Sequence, residues 1–339
     1  MKNLKKFLVL ALALALMVSM FAGCNNNNED QNVDRQDQQQ VDDPGEENTV
    51  YNIGMVQLVQ HPALDAASQG FQDALADKIG AENVKFNYQN AAGDANTCST
   101  IVSQFVASGV DMIFANATAA LQAAAAATVD IPIVATSITD YATALDIDDW
   151  TGISGRNITG TADLAPLAEQ AAMFTELLPD AKNIGLIYCS GEANSKYQVD
   201  IVAAELEALG YNTTLYSFAD SNDVAAVVTT ANENSDALYI PTDNTAASNT
   251  EIIANIVTVP VIAAEEGICQ GCGIATLSIS YYDLGYVTGE MAYEVLVNGA
   301  DPSTMEIRYA GDLTKKYVAS RMAQFGITPP EGYEALDEE

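Results

Sequence analysis

From Tyr51 onward, short apolar runs alternate with longer stretches whose apolar positions recur at helical spacing. Ile53-Gly-Met-Val-Gln-Leu-Val59 is almost continuously apolar, the pattern of a strand buried on both faces. His61-Pro62 then opens a helix, since proline is tolerated in a first turn where its missing N–H is not needed. Leu64, Ala67, Phe71, Ala74, Leu75 and Ile79 share one face of that helix, and Gly80 ends it. The same alternation predicts strands at 84–88, 110–114, 131–135 and, briefly, 152–154, with helices at 97–107 and 118–128 between them.

A second series follows. A helix over 163–178 stops at Pro179, and strands are expected at 184–188, 212–217, 237–240, 259–263 and 273–276. Helices at 195–209, 223–232 and 245–257 separate them. Strands spaced at the length of a β-α repeat argue parallel sheets with helices on both faces. The fold class is therefore α/β, with two Rossmann-like lobes and a cleft between them. A tail of helix 281–298, strand 305–309 and helix 314–325 implies that the chain returns to the first lobe and then to the second. That makes a three-crossover hinge near 159–162, 278–281 and 310–313. The first lobe would comprise 51–160 plus 281–310, and the second 161–280 plus 311–330.

The stretch before Tyr51 changes the picture of location. Lys2, Lys5 and Lys6 precede an apolar run from Phe7 to Phe21, which ends in Ala22-Gly23-Cys24. A basic start and an apolar run of about fifteen residues form a secretory signal, too short for a comfortable membrane span. The small-small-Cys ending is the bacterial lipobox, so residues 1–23 are read as signal peptide and Cys24 as the lipidation site. A plain signal peptide or an anchor helix is the alternative. Asn25–Asn48 is packed with Asn, Gln, Asp and Glu and cannot bury enough apolar surface to order itself. Residues 24–50 thus read as a lipidated disordered tether, holding the protein on the extracellular face of the cell membrane. Membrane contact is expected through the lipid alone.

Charge and chemistry narrow the function. A net charge of -33 repels nucleic acid and anionic headgroups, which excludes both as partners. Cys98, Cys189, Cys269 and Cys272 read as free thiols or, for the last two, a local disulfide. One CxxC and a single histidine do not supply the ligands of a usual zinc site, so no metal and no cofactor is expected. Catalysis is disfavoured as well. His61 is the lone histidine, and GxSxG, GxxxxGK[ST] and GxGxxG are all missing.

In parallel α/β sheets ligands gather at the carboxyl ends of strands. Those ends carry Gln60 and His61 (with Leu64), Gln89 and Asn90, Asn116 and Thr118, then Thr136, Ser137 and Asp140. The second lobe contributes Glu192, Asn194 and Ser195, then Asp243, Asn244 and Thr245, then Glu265 and Glu266. Uncharged hydrogen-bonding groups on one lobe and carboxylates on the other suit a zwitterionic amino acid. Helix starts and hydroxyls would take its carboxylate, and a buried acid its ammonium. Ser195, Thr118, Asp243 and Asn244 are also good helix caps, which is the plainer account of each taken singly.

Several segments carry a resemblance: His61-Pro-Ala-Leu-Asp65 with Gly70-Phe71, Asn157-Ile-Thr-Gly-Thr-Ala-Asp163, Leu178-Pro179 leading into Ile184–Tyr188, and Glu192-Ala-Asn-Ser195. Tyr239-Ile-Pro-Thr-Asp-Asn244, Pro260–Glu265 and Tyr281-Tyr282 with Gly285 and Gly289 continue it. In order and spacing the chain resembles the ABC-transporter substrate-binding lipoproteins of the tryptophan/tyrosine-binding type, from about Tyr51 to Tyr309. The resemblance implies a type I periplasmic-binding-protein fold, an aromatic amino acid (Trp, Tyr or Phe) as ligand, an ABC permease as partner, and a monomer. It also implies ligand contacts from His61, Thr118, Glu192, Asn194, Ser195, Asp243 and Asn244. The chain departs from the family's pattern at Ser280 and Gln60, where acidic residues are usual, and in Cys269-Gln-Gly-Cys272. Two alternatives stay open: a surface receptor or adhesin of the same fold, and a binder of a sugar or nucleoside. Arg156, the one arginine between Tyr51 and Gly299, weakens the sugar reading.

Overall fold

The computed structural model describes residues 49–309, 311 and 313–337. The signal peptide 1–23, Cys24 and all but the last residues of the tether lie outside the described residues. In chain order the elements begin β1 (Tyr51–Gln57), α1 (Pro62–Ile79), β2 (Val84–Asn90), α2 (Ala95–Ser108), β3 (Met112–Asn116) and α3 (Thr118–Ala127). β4 (Ile133–Ile138), α4 (Tyr141–Leu145), β5 (Ile158–Ala162), α5 (Leu167–Leu177), β6 (Asn183–Cys189), α6 (Ala193–Ala208) and β7 (Asn212–Phe218) follow. Next come α7 (Val224–Asn234), β8 (Ala237–Ile240), α8 (Asn244–Ala247), α9 (Thr250–Ile256), β9 (Val261–Ala263), α10 (Glu266–Cys272) and β10 (Ala275–Ser278). The chain closes with α11 (Tyr281–Leu296), β11 (Arg308–Tyr309), β12 (Thr314–Tyr317), α12 (Ala319–Gln324) and β13 (Glu334–Ala335).

One sheet has the order β11-β5-β4-β3-β1-β2 and is parallel throughout. The other has the order β13-β12-β10-β9-β8-β6-β7 and is parallel except where β12 runs against β10. The chain passes between the sheets after Ala162, after Ser278 and after Tyr309. Central strands are buried on both faces, as their continuous apolar runs require: every residue of β3, β4 and β8 is buried.

α11 returns to the first sheet and lies against α1 with its backbone nearly touching. A Cβ on Gly70 would overlap the Tyr282 carbonyl, and one on Gly285 the Ala67 carbonyl. Glycine is needed at both, because any side chain would push the helices apart. This packing sets α11's first residue, Tyr281, at the mouth of the cleft.

Three expectations are corrected. The strand sought at 152–154 is β5, at Ile158–Ala162; Ile153 makes only an isolated bridge to Glu306. Gly152 and Gly155, both at positive φ, turn the chain there, and the Thr-Gly-rich β5 lacks the apolar run that marks its neighbours. The helix expected over 314–325 is a strand followed by a short helix. In β12, Lys315 and Lys316 point to opposite faces and pair with Glu176 and Glu266. The helix over 245–257 breaks into α8 and α9 at Ser248-Asn249, where Asn249 Nδ2 turns back to the Thr245 carbonyl at 2.7 Å.

Candidate functional site

Between the carboxyl ends of the two sheets lies a cavity of about 20 Å³. The first sheet lines it with His61, Leu64, Ser137, Thr139 and Asp163, and the second with Asn194, Thr242, Asp243, Asn244, Ala247 and Glu265. Tyr281 closes it at the start of α11. No lysine or arginine belongs to this lining.

On the first side, a buried amide network aims the start of α1. Gln57 Nε2 donates to Asp65 at 2.7 Å, and Ser68 Oγ donates to Gln57 Oε1 at 2.7 Å. Asn116 Nδ2 donates to the Leu64 carbonyl at 2.8 Å and to Ser68 Oγ at 3.0 Å. Together these tie the ends of β1 and β3 to the first turns of α1, so that His61 and Leu64 face the cleft. Ser137 has φ 58 and Ala117 has φ 87, conformations that non-glycine residues adopt at a cost and that cluster at ligand sites. Ser137 Oγ is buried without a hydrogen-bond partner, as are His61 Nδ1 and Asp163 Oδ1. The other Asp163 oxygen accepts from the Tyr281 hydroxyl at 2.8 Å.

The second side is satisfied within itself. Glu192 accepts from the backbone and side chains of both Asn244 and Thr245, at 2.7–3.0 Å, and so caps α8. Asp243 accepts from Cys189 N at 2.6 Å and from Ala246 N at 2.8 Å. Glu265 caps α10, accepting from Gly267 N at 2.8 Å and from Ile268 N. Asn194 Nδ2 donates to the Thr242 carbonyl at 2.9 Å.

Direct bonds join the two sides. His61 Nε2 lies 3.2 Å from Asn244 Oδ1, Thr139 and Thr242 hydroxyls are 3.4 Å apart, and Gln198 Nε2 donates to Thr139 Oγ1 at 3.3 Å.

Burial dominates the electrostatics. It raises the Asp163 carboxyl against the pull of the Tyr281 hydroxyl, and raises Asp243 with the negative Glu192 adding to it. It pushes Glu265 up to about 7 despite two backbone donors. It lowers His61, favouring the neutral ring. Asp243 and Glu265 engage both oxygens with backbone donors, so Asp163, with one oxygen free and no cation in the lining, is the acid suited to a ligand bearing positive charge.

Of the residues read from the sequence, the structure gathers His61, Leu64, Ser137, Asn194, Asp243, Asn244 and Glu265 around the cavity. The others stand elsewhere. Gln60 is exposed, and Asn90 is exposed on the edge strand β2, its side chain accepting from Ala92 N. Asn116 and Ser195 are buried behind the lining, and Glu192 acts through Asn244. Thr136 is buried in a hydroxyl chain with Thr161 and Thr288, at 3.0 and 2.8 Å. Asp140 caps α4 through Thr143 N, and Thr118 is buried in the first turn of α3 without lining the cavity.

Asp163, Thr139, Thr242, Ala247 and Tyr281 also line the cavity, beyond the residues that the strand ends read from sequence supply. Asp163 follows β5 directly; the strand-end rule names it once β5 is set at Ile158–Ala162. Cys98, Cys189, Cys269 and Cys272 are all buried free thiols, so the local disulfide is not formed. Among the described residues no group of three or more His, Cys, Asp or Glu could hold a metal ion, and no helix is long and apolar enough to cross a membrane.

The family model described as ABC transporter substrate binding protein matches residues 52–334. A protein named tyrosine-binding protein, from Clostridioides difficile strain R20291, is 37% identical over 303 residues, covering 86% of this chain and 84% of that one. A Streptococcus pneumonia ABC domain solved in complex with L-Trp is 31% identical, with a TM-score of 0.81, covering 85% of this chain and all of that one. A ligand-free, open substrate binding protein with adhesive properties, from Clostridium difficile, is 35% identical. It covers 86% of this chain and 100% of that one, yet its TM-score is lower, at 0.66.

Proposed function

This chain belongs to the ABC transporter substrate binding proteins, with the type I periplasmic-binding-protein fold, and we propose that it captures an aromatic amino acid between its lobes. The family is one of solute-binding proteins rather than enzymes, and its members work outside the cytoplasm. The observation that carries the ligand proposal is Asp163. One of its oxygens is buried on the cavity with no partner, where no lysine or arginine lines the wall. An α-ammonium meets that need by a charge-assisted hydrogen bond. The buried, unpartnered hydroxyl of Ser137 stands ready for the carboxylate, and Leu64, Ala247 and Tyr281 supply apolar surface for a side chain.

Capture proceeds by hinge closure, with the lobe of the first sheet moving against the lobe of the second about the three crossings. The bonds across the cleft support a closed arrangement, as does the better match to the Trp complex than to the open relative. The names of two relatives, one a tyrosine-binding protein and one an L-Trp complex, favour an aromatic ligand over other amino acids. The closed monomer then delivers its ligand to an ABC permease, and acylation of Cys24 holds it at the extracellular face of the cell membrane. Mutation of Cys24 to alanine should release the protein from the membrane fraction.

Thermal-shift titration with the twenty amino acids tests the ligand. Tryptophan, tyrosine or phenylalanine should raise the melting temperature, because a ligand that binds only the folded state stabilises it. No shift with any of the twenty would end the amino-acid reading. A second role, as a surface adhesin, is favoured by the adhesive properties named for one relative. Loss of surface binding by cells lacking the protein would support it.

A further inference from the structure

The His61 ring is fixed in one hydrogen-bonding form by the opposite lobe. Asn244 Nδ2 donates to the Glu192 carboxylate at 2.7 Å, which orients the amide and leaves its Oδ1 facing His61 Nε2 at 3.2 Å. An oxygen there accepts, so Nε2 must carry the proton. Burial keeps the ring neutral, and Nδ1 is then a bare lone pair. It is buried, without a partner, on a side chain that lines the cavity and is 7% exposed.

Asp163 Oδ1 is the second unpartnered acceptor on the same lobe. His61 follows β1 and Asp163 follows β5, and β4 and β3 lie between those strands. Three strand spacings of about 4.8 Å set the ends of β1 and β5 about 14 Å apart. With the ammonium assigned to Asp163, the His61 lone pair calls for a second donor on the ligand.

We propose that His61 Nδ1 is a specificity element that selects aromatic amino acids whose ring carries an N–H or O–H, tyrosine or tryptophan, over phenylalanine. This rests on the amino-acid reading above and sharpens it. The selection is exercised at closure, because Asn244 of the second lobe imposes the tautomer. With tyrosine or tryptophan the ring donor meets Nδ1. With phenylalanine the cleft must shut over an unpaired lone pair, and a site built to hydrogen-bond a donor rejects the analogue that lacks it.

Calorimetric titration of the full chain in detergent with tyrosine, tryptophan and phenylalanine tests the assignment. The better of tyrosine and tryptophan should bind about 10- to 100-fold more tightly than phenylalanine. His61→Leu should collapse that gap. His61→Gln, which can donate to Asn244 and still offer a carbonyl oxygen, should retain most of it and also controls for folding. Equal binding of all three to the native chain, or an unchanged gap in His61→Leu, overturns the assignment while leaving the amino-acid reading intact. Failure of all three to bind overturns both.

Discussion

Tyr281 donates its hydroxyl to Asp163 Oδ2 over 2.8 Å, and the two residues flank different crossings between the sheets. Asp163 leaves β5 at the first crossing, and Tyr281 begins α11 after the second. Both also line the cavity, so a ligand held by Asp163 acts directly on two of the three segments about which the lobes would turn.

Tyr281→Phe should therefore weaken amino-acid binding by about tenfold, since it leaves a buried carboxylate oxygen unpaired and free to turn away. Asp163→Asn should weaken it by about 100-fold or more, because a neutral amide does not hold an ammonium as an ion does. The Asn variant should melt no lower than the native chain, as burial already disfavours the ionised Asp163. Calorimetry and thermal melts of both variants check the pair, and unchanged affinity in Asp163→Asn would refute the ammonium role.

Glu265 should make stability depend on pH. Its carboxyl sits at about 7 in the fold because of burial, against 4.5 for the ordinary group. Between those values the folded chain keeps a proton that the unfolded chain has lost, so folding is favoured at the acid end. That contribution is complete below about 4.5 and is gone once pH has risen through about 7; it amounts to at most about 3 kcal/mol. Glu265→Gln cannot titrate. The melting temperature of the native chain minus that of the variant should fall between about pH 5 and about pH 8, since the other buried groups, His61, Asp163 and Asp243, are common to both proteins. Parallel curves would contradict it.

Arg321 of α12 clamps the far end of the helix that Glu265 caps. Its guanidinium donates to the carbonyls of Cys269, Gln270, Gly271 and Gly273, at 2.6–3.3 Å. Arg321→Ala should cost about 2 kcal/mol in urea unfolding. Arg321→Lys should recover less than half of it, because an ammonium lacks the planar fork that reaches several carbonyls at once.

Gly285→Ala should be the most damaging of these changes. The added methyl would overlap the Ala67 carbonyl, and backbone in a packed helix cannot step aside as a flexible side chain would. A loss of about 3 kcal/mol or more is expected in chemical denaturation. Ligand affinity should fall with it, since α11 carries Tyr281.

Legibility along the chain followed burial. β1, β3, β4, β6 and β8 are buried on both faces or nearly so, and their apolar runs announce them. β5 is equally buried but built as Ile-Thr-Gly-Thr-Ala, where the Thr161 hydroxyl bonds inward to Thr136 and Thr288 rather than to water. Such a strand has no periodic signature, and missing it concealed Asp163. β12 is short and lysine-bearing, and its place beside β10 is decided by pairing across the sheet, not by its own four residues.

Local pattern by itself determined that this is a doubled α/β chain and that its chemistry lies at strand ends, because periodicity reports burial and parallel strands share one polar end. The tertiary structure alone decided which ends meet. Strand order differs from chain order: β1 lies between β2 and β3, so Asn90 on edge strand β2 stays outside while His61 faces inward. His61 and Asn244 are separated by 183 positions and touch only because two sheets face each other across the cleft. No local propensity encodes that contact. It is set by the crossings and by helices packed so closely that glycine must stand between them.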